Sequence, residues 1–514
     1  MAAERGATLH GRLLDVAERF PAREAFVDEQ GRATFVELAG RVRALAGRFR
    51  SQGLSPGQRV AILLPNGIAY VECLFASVLA GCVAAPLDPR LKARELRAIL
   101  AKVGPSAVVA ESASPASDIT SALGAAPDPV PAGGSTFFWK SEDGWNVTPP
   151  DSRRPPAGSS EGSDSVSSDV AVTFASSGTS GVPKTILHTH RSLTASLLDL
   201  GPDQLTWMTT APLCTMAGHT VMTQALLGGH RLVTMKQFHP RKALELVERE
   251  RVSILAASPT TLGLMLRVEG LSRRDLSSLL FVGVGGGPTP PRLAGRAKAA
   301  FPCPVIISYG STELGGPVLA THGNDSEEVA TETVGRPLAG REVRVVDDGG
   351  RDVGPGVVGE LVCRSVTTMA GYESAGLSGE KWLPGRWFRT GDLAVLAADG
   401  NVRIVGRKDD VIIRAEQNIL PLEVEEVLES HPAVEKAAVV GIPRSTGGEE
   451  VYAFVVPKDA AVPAHELLAH CRRELASYKV PDRIRFCRDL PCTADGAVRR
   501  FLLVEMLAGE AKSG

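Results

Sequence analysis

The chain has 514 residues, 44% of them hydrophobic and 22% charged, with a formal net charge of −2. That length is too great for one hydrophobic core, so two or more domains are expected. The near-neutral charge removes any electrostatic argument for a nucleic-acid or anionic-membrane partner. No run of about 18 apolar residues offers a transmembrane helix, and the charged, amphipathic start MAAERGATLHGRLLDVAERF lacks the apolar core of a signal peptide, so a cytoplasmic enzyme is expected. Eight cysteines, at 73, 82, 214, 303, 363, 471, 487 and 492, are scattered without a Cys-x-x-Cys pair, which reads as small buried hydrophobes and not as a metal centre.

In chain order, Leu13 to Phe20 and Phe35 to Arg50 carry helical apolar spacing, with a strand at Glu24 to Asp28 between them. Arg59 to Asn66 reads as a buried strand with a Pro-Asn stop, Ala69 to Ala80 as an apolar helix, and Cys82 to Leu87 as another strand. The alternation predicts a doubly wound α/β layer. From about 111 to 168 Ser, Pro, Gly and Asp dominate, and a long, partly disordered connection is expected. Leu193 to Leu200 reads as helix.

The connection leads into VTFASSGTSGVPKTILHTH, residues 172 to 190. A β-type run, Val172-Thr173-Phe174, precedes Ser176-Ser177-Gly178-Thr179-Ser180-Gly181. Pro183-Lys184 closes that loop and Thr185-Ile186-Leu187 resumes strand character. Glycines let backbone N–H groups approach an anion, hydroxyls add donors and Lys184 adds a mobile cation, which together make a phosphate cradle. It is not a Walker A loop, because that motif needs Gly-Lys-Ser/Thr opening a helix, and here Pro183 precedes the lysine and β-branched residues follow. His188 and His190 are too few for a metal site and fit a structural role beside the loop.

Further on, Phe281 to Val284 ends in Gly285-Gly286-Gly287-Pro288, where bare backbone can lie flat against a planar ligand. Then come Ser308-Tyr309-Gly310-Ser311-Thr312-Glu313, Arg389-Thr390-Gly391-Asp392, and Gly406-Arg407-Lys408-Asp409-Asp410 running to Pro421-Leu422-Glu423-Val424-Glu425. In this order, and with the loop at 176–184, these stretches resemble the core motifs of the adenylate-forming superfamily: acyl- and aryl-CoA ligases, peptide-synthetase adenylation domains and luciferases. The resemblance runs from about Leu13 to Leu503.

The resemblance implies an α/β fold with a large N-terminal domain of layered sheets and helices, residues 1–407, and a small mobile α+β C-terminal lid, residues 408–514, hinged at Asp409. It implies ATP and Mg²⁺ as cofactors, with AMP retained in the acyl-adenylate. The cradle residues, with Thr179 and Lys184 catalytic, would hold phosphate. Tyr309 would stack on adenine, with Gly286, Gly287, Pro288, Ser308, Gly310 and Ser311 lining the nucleotide. Thr312 would bond the α-phosphate, Glu313 hold Mg²⁺, Asp392 accept the ribose hydroxyls and Arg407 contact ribose or phosphate. Thr215, Met216, His219, Gly285, Gly286 and Gly310 would border the acyl pocket. Relatives often read Pro-Leu-Phe-His where this chain has Pro212-Leu213-Cys214-Thr215, so the gate is smaller here. The implied partners are a carboxylic acid and an acceptor that is CoA, an amine or a carrier protein, with a homodimer common among relatives.

Two departures stand out. The last motif of the superfamily ends Gly-Lys, and this chain has Gly496-Ala497, so Ala497 occupies the place of the catalytic lysine, whether by natural loss or by engineering. CoA ligases commonly carry Gly-Gly where this chain has Ala415-Glu416, beside the expected pantetheine tunnel. A carboxylate there either narrows the tunnel, assists an amine as a base, or is tolerated on an exposed loop.

Overall fold

The computed structural model describes residues 7–111, 135–141, 144–148, 170–176, 184–198, 200–374, 379–414, 417–443, 449–458, 462–492 and 498–510. Within them two large sheets run through the N-terminal part of the chain. The eight-stranded sheet has at its centre the parallel strands Arg59–Leu63, Val83–Pro86 and Ala107–Glu111, with Val170–Ser176 joining next to Val83–Pro86. The nine-stranded sheet is built on Thr206–Thr209, Ile254–Ala257, Phe281–Val284 and Val305–Ser311, all parallel.

Helices fill the space between the sheets. Ile68–Leu79 is apolar nearly all round, with Tyr70, Val71 and the run Cys73 to Leu79 buried, as a helix covered on every side must be. It packs with Leu9–Arg19, Phe35–Ser51 and Met216–Leu227 in one core that also takes Val60 and Ile62 from the first sheet and Phe26, Trp207 and Ile254 from the second. The strand period of two sends Ala61 and Leu63 to the opposite face, against the helix Ala93–Val103. A second outer layer, with Leu244, Val247 and Leu262, covers the far side of the nine-stranded sheet. The result is helix, sheet, helix, sheet, helix, the layered α/β body that the sequence predicts.

Element boundaries follow local chemistry. Phe35–Ser51 begins where the Thr34 and Glu37 side chains cap each other's backbone. The helix expected over 193–200 is instead His190–Thr194. Thr189 starts it early by accepting from the Ser192 N–H at 3.0 Å. Gln224 ends it by capturing the Leu198 N–H at 2.9 Å and donating to the Ser196 carbonyl at 2.6 Å. Of the long, partly disordered connection expected from about 111 to 168, residues 112–134, 142–143 and 149–168 lie outside the described residues, and the rest holds two strands that were not expected. Ser135–Ser141 and Gly144–Thr148 pair with each other and extend the eight-stranded sheet beyond Ala107–Glu111. The cue lay in Phe137-Phe138-Trp139 and Trp145, aromatic residues of high strand preference within the polar stretch.

Beyond a third sheet, formed by Arg341–Val346, Val358–Ser365, Trp387–Leu396 and Val402–Arg407 with Trp382–Leu383, the chain builds a small α+β unit. Its central strand Glu449–Pro457 pairs antiparallel with Val434–Pro443 on one side and parallel with Arg483–Phe486 on the other. Val439 faces the helices Pro421–Ser430 and Ala464–Glu474, while Ala438 and Val440 face the helix Arg500–Glu510. The strand Arg483–Phe486 and that last helix were absent from the sequence reading. Arg500 locks the unit to the turn at 408–410. It donates to both oxygens of buried Glu425, at 2.7 and 2.8 Å, and lies 3.3 Å from Asp410.

Burial pushes the Glu425 carboxyl above its ordinary range, against the pull of Arg500. Removing the guanidinium strands a buried carboxylate, at a cost of about 3 kcal/mol. The Arg500→Leu variant should therefore melt earlier in chemical denaturation. Its deficit should grow as the pH rises through the raised Glu425 pKa, because only the ionised form needs the partner.

Candidate functional site

The expected site residues fall where strands of different sheets meet. The strand Lys184–Thr189 pairs antiparallel with Val170–Ser176, with Ser176 opposite Lys184, so the described strands flank the cradle on both sides. Residues 177–183 of the cradle, including Ser177, Gly178, Thr179, Ser180 and Gly181, lie outside the described residues, as do Ala415, Glu416 and Ala497.

The flank of the cradle is tied to the Thr312–Glu313 turn. His188 donates from Nε2 to the Thr312 carbonyl at 2.7 Å, and its Nδ1, 3.1 Å from Ser192 Oγ, accepts from that hydroxyl. Burial holds His188 down at about 4, so the ring stays neutral and the tautomer is set by these two bonds. His190 points elsewhere and accepts from the Leu9 N–H at 3.2 Å. The two rings therefore serve the scaffold, as their spacing suggests. Among the described residues no group of three or more His, Cys, Asp or Glu is placed to hold a metal ion by itself.

Ser308, Tyr309, Gly310 and Ser311 occupy the end of the strand Val305–Ser311. The Tyr309 hydroxyl donates to Asp392 Oδ2 at 2.5 Å. Arg407, opposite Asp392 in the neighbouring strand, reaches Asp392 Oδ1 at 3.1 Å. Burial nonetheless raises the Asp392 carboxyl above its ordinary range, with Arg407 and Tyr309 opposing. Arg389 and Thr390 of the same motif face the scaffold, donating to Glu360 Oε2 at 2.5 Å and to the Leu361 carbonyl at 2.7 Å. That division leaves Asp392 as the member that meets Tyr309. Asp409 sits in a short 3₁₀ turn, Lys408–Asp410, between the third sheet and the small unit.

Gly285, Gly286, Gly287 and Pro288 follow the strand Phe281–Val284. Gly286 has φ +86°, which favours glycine, and a Cβ on Gly285 would lie 2.6 Å from Ser308 Oγ. Thr215 caps the helix Met216–Leu227, accepting from the Gly218 N–H and donating to the Pro212 carbonyl, so its hydroxyl is spent on the helix start. Met216 is buried on the first turn. His219 is buried with its ring edge against Phe174, on the side of the cradle strands, and burial lowers its pKa to about 3. Thr220, one residue on, approaches Gly316, where an added Cβ would meet its hydroxyl at 2.8 Å.

Two contacts escaped sequence reasoning. Lys184 lies with its ammonium 5.8 Å from the centre of the Tyr372 ring, and the Tyr372 hydroxyl donates to Glu313 Oε1 at 3.0 Å. Tyr372 stands in an undistinguished Ala-Gly-Tyr-Glu stretch, and no local signal ties it to Glu313. A surface cavity of about 420 Å³ beside Arg274 and Phe301 shares no residue with this cluster.

The family model for AMP-binding enzymes matches residues 13–373, and the model for the AMP-binding enzyme C-terminal domain matches 423–497. A feruloyl-CoA synthase from Amycolatopsis sp. is 35% identical over 478 residues, 90% of this chain and 92% of its own. The solved anthranilate CoA ligase AuaEII, in complex with anthranoyl-AMP, is 26% identical with TM-score 0.85, covering 98% of each chain. The amide bond synthetase McbA from Marinactinospora thermotolerans is 29% identical with TM-score 0.81, covering 97% of this chain and 99% of its own.

Close backbone approach at Gly310 is a local requirement of this site, since a Cβ there would lie 2.1 Å from the Gly316 carbonyl oxygen. Gly310→Ala should force the two strands apart and lower stability by about 1–3 kcal/mol, measurable as a drop in the denaturation midpoint.

Proposed function

Because this chain belongs to the family of AMP-binding enzymes, we propose that it activates an aryl carboxylic acid with ATP and passes the acyl group to the thiol of CoA. In the first step a carboxylate oxygen attacks the α-phosphorus in line. The bond to the β-phosphate oxygen breaks, and acyl-AMP and pyrophosphate form. In the second the thiolate sulfur attacks the acyl carbon, and AMP leaves with the oxygen that bridged to phosphorus.

The observation that carries the reading is the linked set Lys184, Tyr372, Glu313 on one side and Tyr309, Asp392, Arg407 on the other. A cation and a carboxylate that share a neighbour suit a triphosphate and its metal ion, and a buried carboxylate held by two donors suits a sugar. Lys184 and the Thr312 hydroxyl take the phosphates, Asp392 accepts the ribose hydroxyls, and the Tyr309 ring lies against adenine. Glu313 suits Mg²⁺, because a carboxylate with no converging ligand set among the described residues matches an ion that draws its other ligands from phosphate and water. When bound, Mg²⁺ supplies neutralisation of phosphate charge. Residues 408–514 act as the lid, turning about Asp409 to exchange an adenylating arrangement for one that admits the acceptor.

The feruloyl-CoA and anthranilate-CoA relatives support an aromatic acid and CoA. The likeness to an amide bond synthetase favours, as a second reading, an amine acceptor assisted by Glu416. An acid panel with CoA or amines added, read by mass spectrometry, separates them. An acyl-CoA product establishes the first reading. Acyl-AMP that persists with CoA and is consumed by amines establishes the second.

Ala497 leaves adenylation without the cation expected at that position. One missing donor to a charged transition state costs about 3–4 kcal/mol, so Ala497→Lys should raise acid-dependent pyrophosphate release by roughly 10²–10³. Arg500 is already spent on Glu425 and Asp410 and does not stand in for it.

The ribose role carries a pH signature. The Asp392 carboxyl is raised by burial, so the ionised acceptor is lost on acidification at a pH above the ordinary carboxylate range. AMP binding should weaken through that limb. In Tyr309→Phe, which removes a donor to the ionised form, the limb should move to still higher pH, and AMP affinity at neutral pH should fall about tenfold by isothermal calorimetry.

A further inference from the structure

The segment from Met369 to Glu373 threads between the cradle strand and the Thr312–Glu313 turn. Its backbone donates to both, from Met369 to the Glu313 carbonyl at 2.7 Å, from Ala370 to Leu187 at 2.8 Å and from Glu373 to Thr185 at 3.0 Å. Gly371 and Tyr372 pair with Leu187 and Ile186 as the edge of the eight-stranded sheet. Tyr372 is 7% exposed. Its ring meets the Lys184 ammonium on one side and its hydroxyl meets the Glu313 carboxylate on the other.

Lys184 and Glu313 carry opposite charges, share this neighbour, and form no ion pair with each other among the described residues. Left in contact they would neutralise each other, and neither would serve a triphosphate or its cation. We propose that Tyr372 is a positioning residue that keeps them apart and aims both. The aromatic face offers the ammonium a weak, non-neutralising seat from which it can move to phosphate. The hydroxyl fixes one carboxylate oxygen, Oε1, and leaves Oε2 to face a divalent cation. The inference rests on the nucleotide-activating reading above and adds a residue to it.

The test uses the full chain, with Tyr372→Phe, Tyr372→Leu, and Tyr372→Leu combined with Glu313→Gln. ATP binding is titrated with MgCl₂ by calorimetry, Mn²⁺ uptake is followed by electron paramagnetic resonance, and AMP binding is measured without metal. Tyr372→Phe keeps the ring and loses the hydroxyl. It should raise the metal concentration for half-maximal ATP binding about tenfold, the worth of one charge-assisted hydrogen bond, and leave metal-free AMP affinity unchanged. Tyr372→Leu should also weaken AMP about tenfold, because Lys184 can now pair with Glu313. Adding Glu313→Gln should restore the AMP affinity, which a purely structural role for the tyrosine would not do. An unchanged metal requirement in the Phe variant, or no restoration in the double variant, overturns the role of Tyr372 while nucleotide binding by the unsubstituted chain upholds the broader reading. Failure of the unsubstituted chain to bind ATP or AMP overturns both.

Discussion

The hydrogen bond from His188 to the Thr312 carbonyl joins the two halves of the body at the point where chemistry is needed. His188 belongs to the eight-stranded sheet and Thr312 to the turn that leaves the nine-stranded one. A layer of helices lies between the sheets over much of their area, and near this bond their strand ends come within reach of one another. A neutral imidazole suits the task because it has one donor and one acceptor, both used, and burial keeps it from gaining a second proton. A protonated ring would confront the phosphate region with a fixed extra charge and would lose its acceptor for Ser192.

A second constraint is the economy of charge around the site. Arg389 and Lys408 are drawn to Glu360, and Arg500 to Glu425 and Asp410. Lys184 differs, because its neighbour in the described structure is an aromatic face and not a carboxylate. A cation meant for a ligand must be kept from a permanent partner, and a ring is a way to hold it without satisfying it.

Much of this was legible in the sequence because it is local. Hydrophobic period placed the strands around Val60, Ile62 and Val83 and the buried helix after Ile68, and a run of small hydroxylated residues marked the cradle. Ordered motifs named Tyr309, Glu313 and Asp392. What stayed hidden depends on pairing across the chain. The hairpin at 135–148 was masked by its polar surroundings, although Phe137 and Trp145 carried the strand preference. The segment after the short helix His190–Thr194 leaves helical pairing because Gln224, on another helix, takes the Leu198 N–H and the Ser196 carbonyl. Tyr372 gave no sign of its place beside Glu313, since one hydroxyl in an ordinary tripeptide reveals nothing about what it will meet. The contact of the buried His219 ring with Phe174 likewise joins residues far apart in the chain, a pairing that composition alone does not fix.

The edge strand at Gly371–Tyr372 also has a meaning in time. Synthesis runs from the N-terminus, so Lys184 and then Glu313 leave the ribosome well before the tyrosine that stands between them. Until that segment emerges, the nascent body holds a cation and an anion with no spacer and a cradle strand with an open edge, which is a template for pairing with another chain. Completing the strap therefore does two jobs at once: it seals an aggregation-prone edge and releases the two charges for a ligand. A chain truncated before residue 369 would lack both, however well its two sheets had formed.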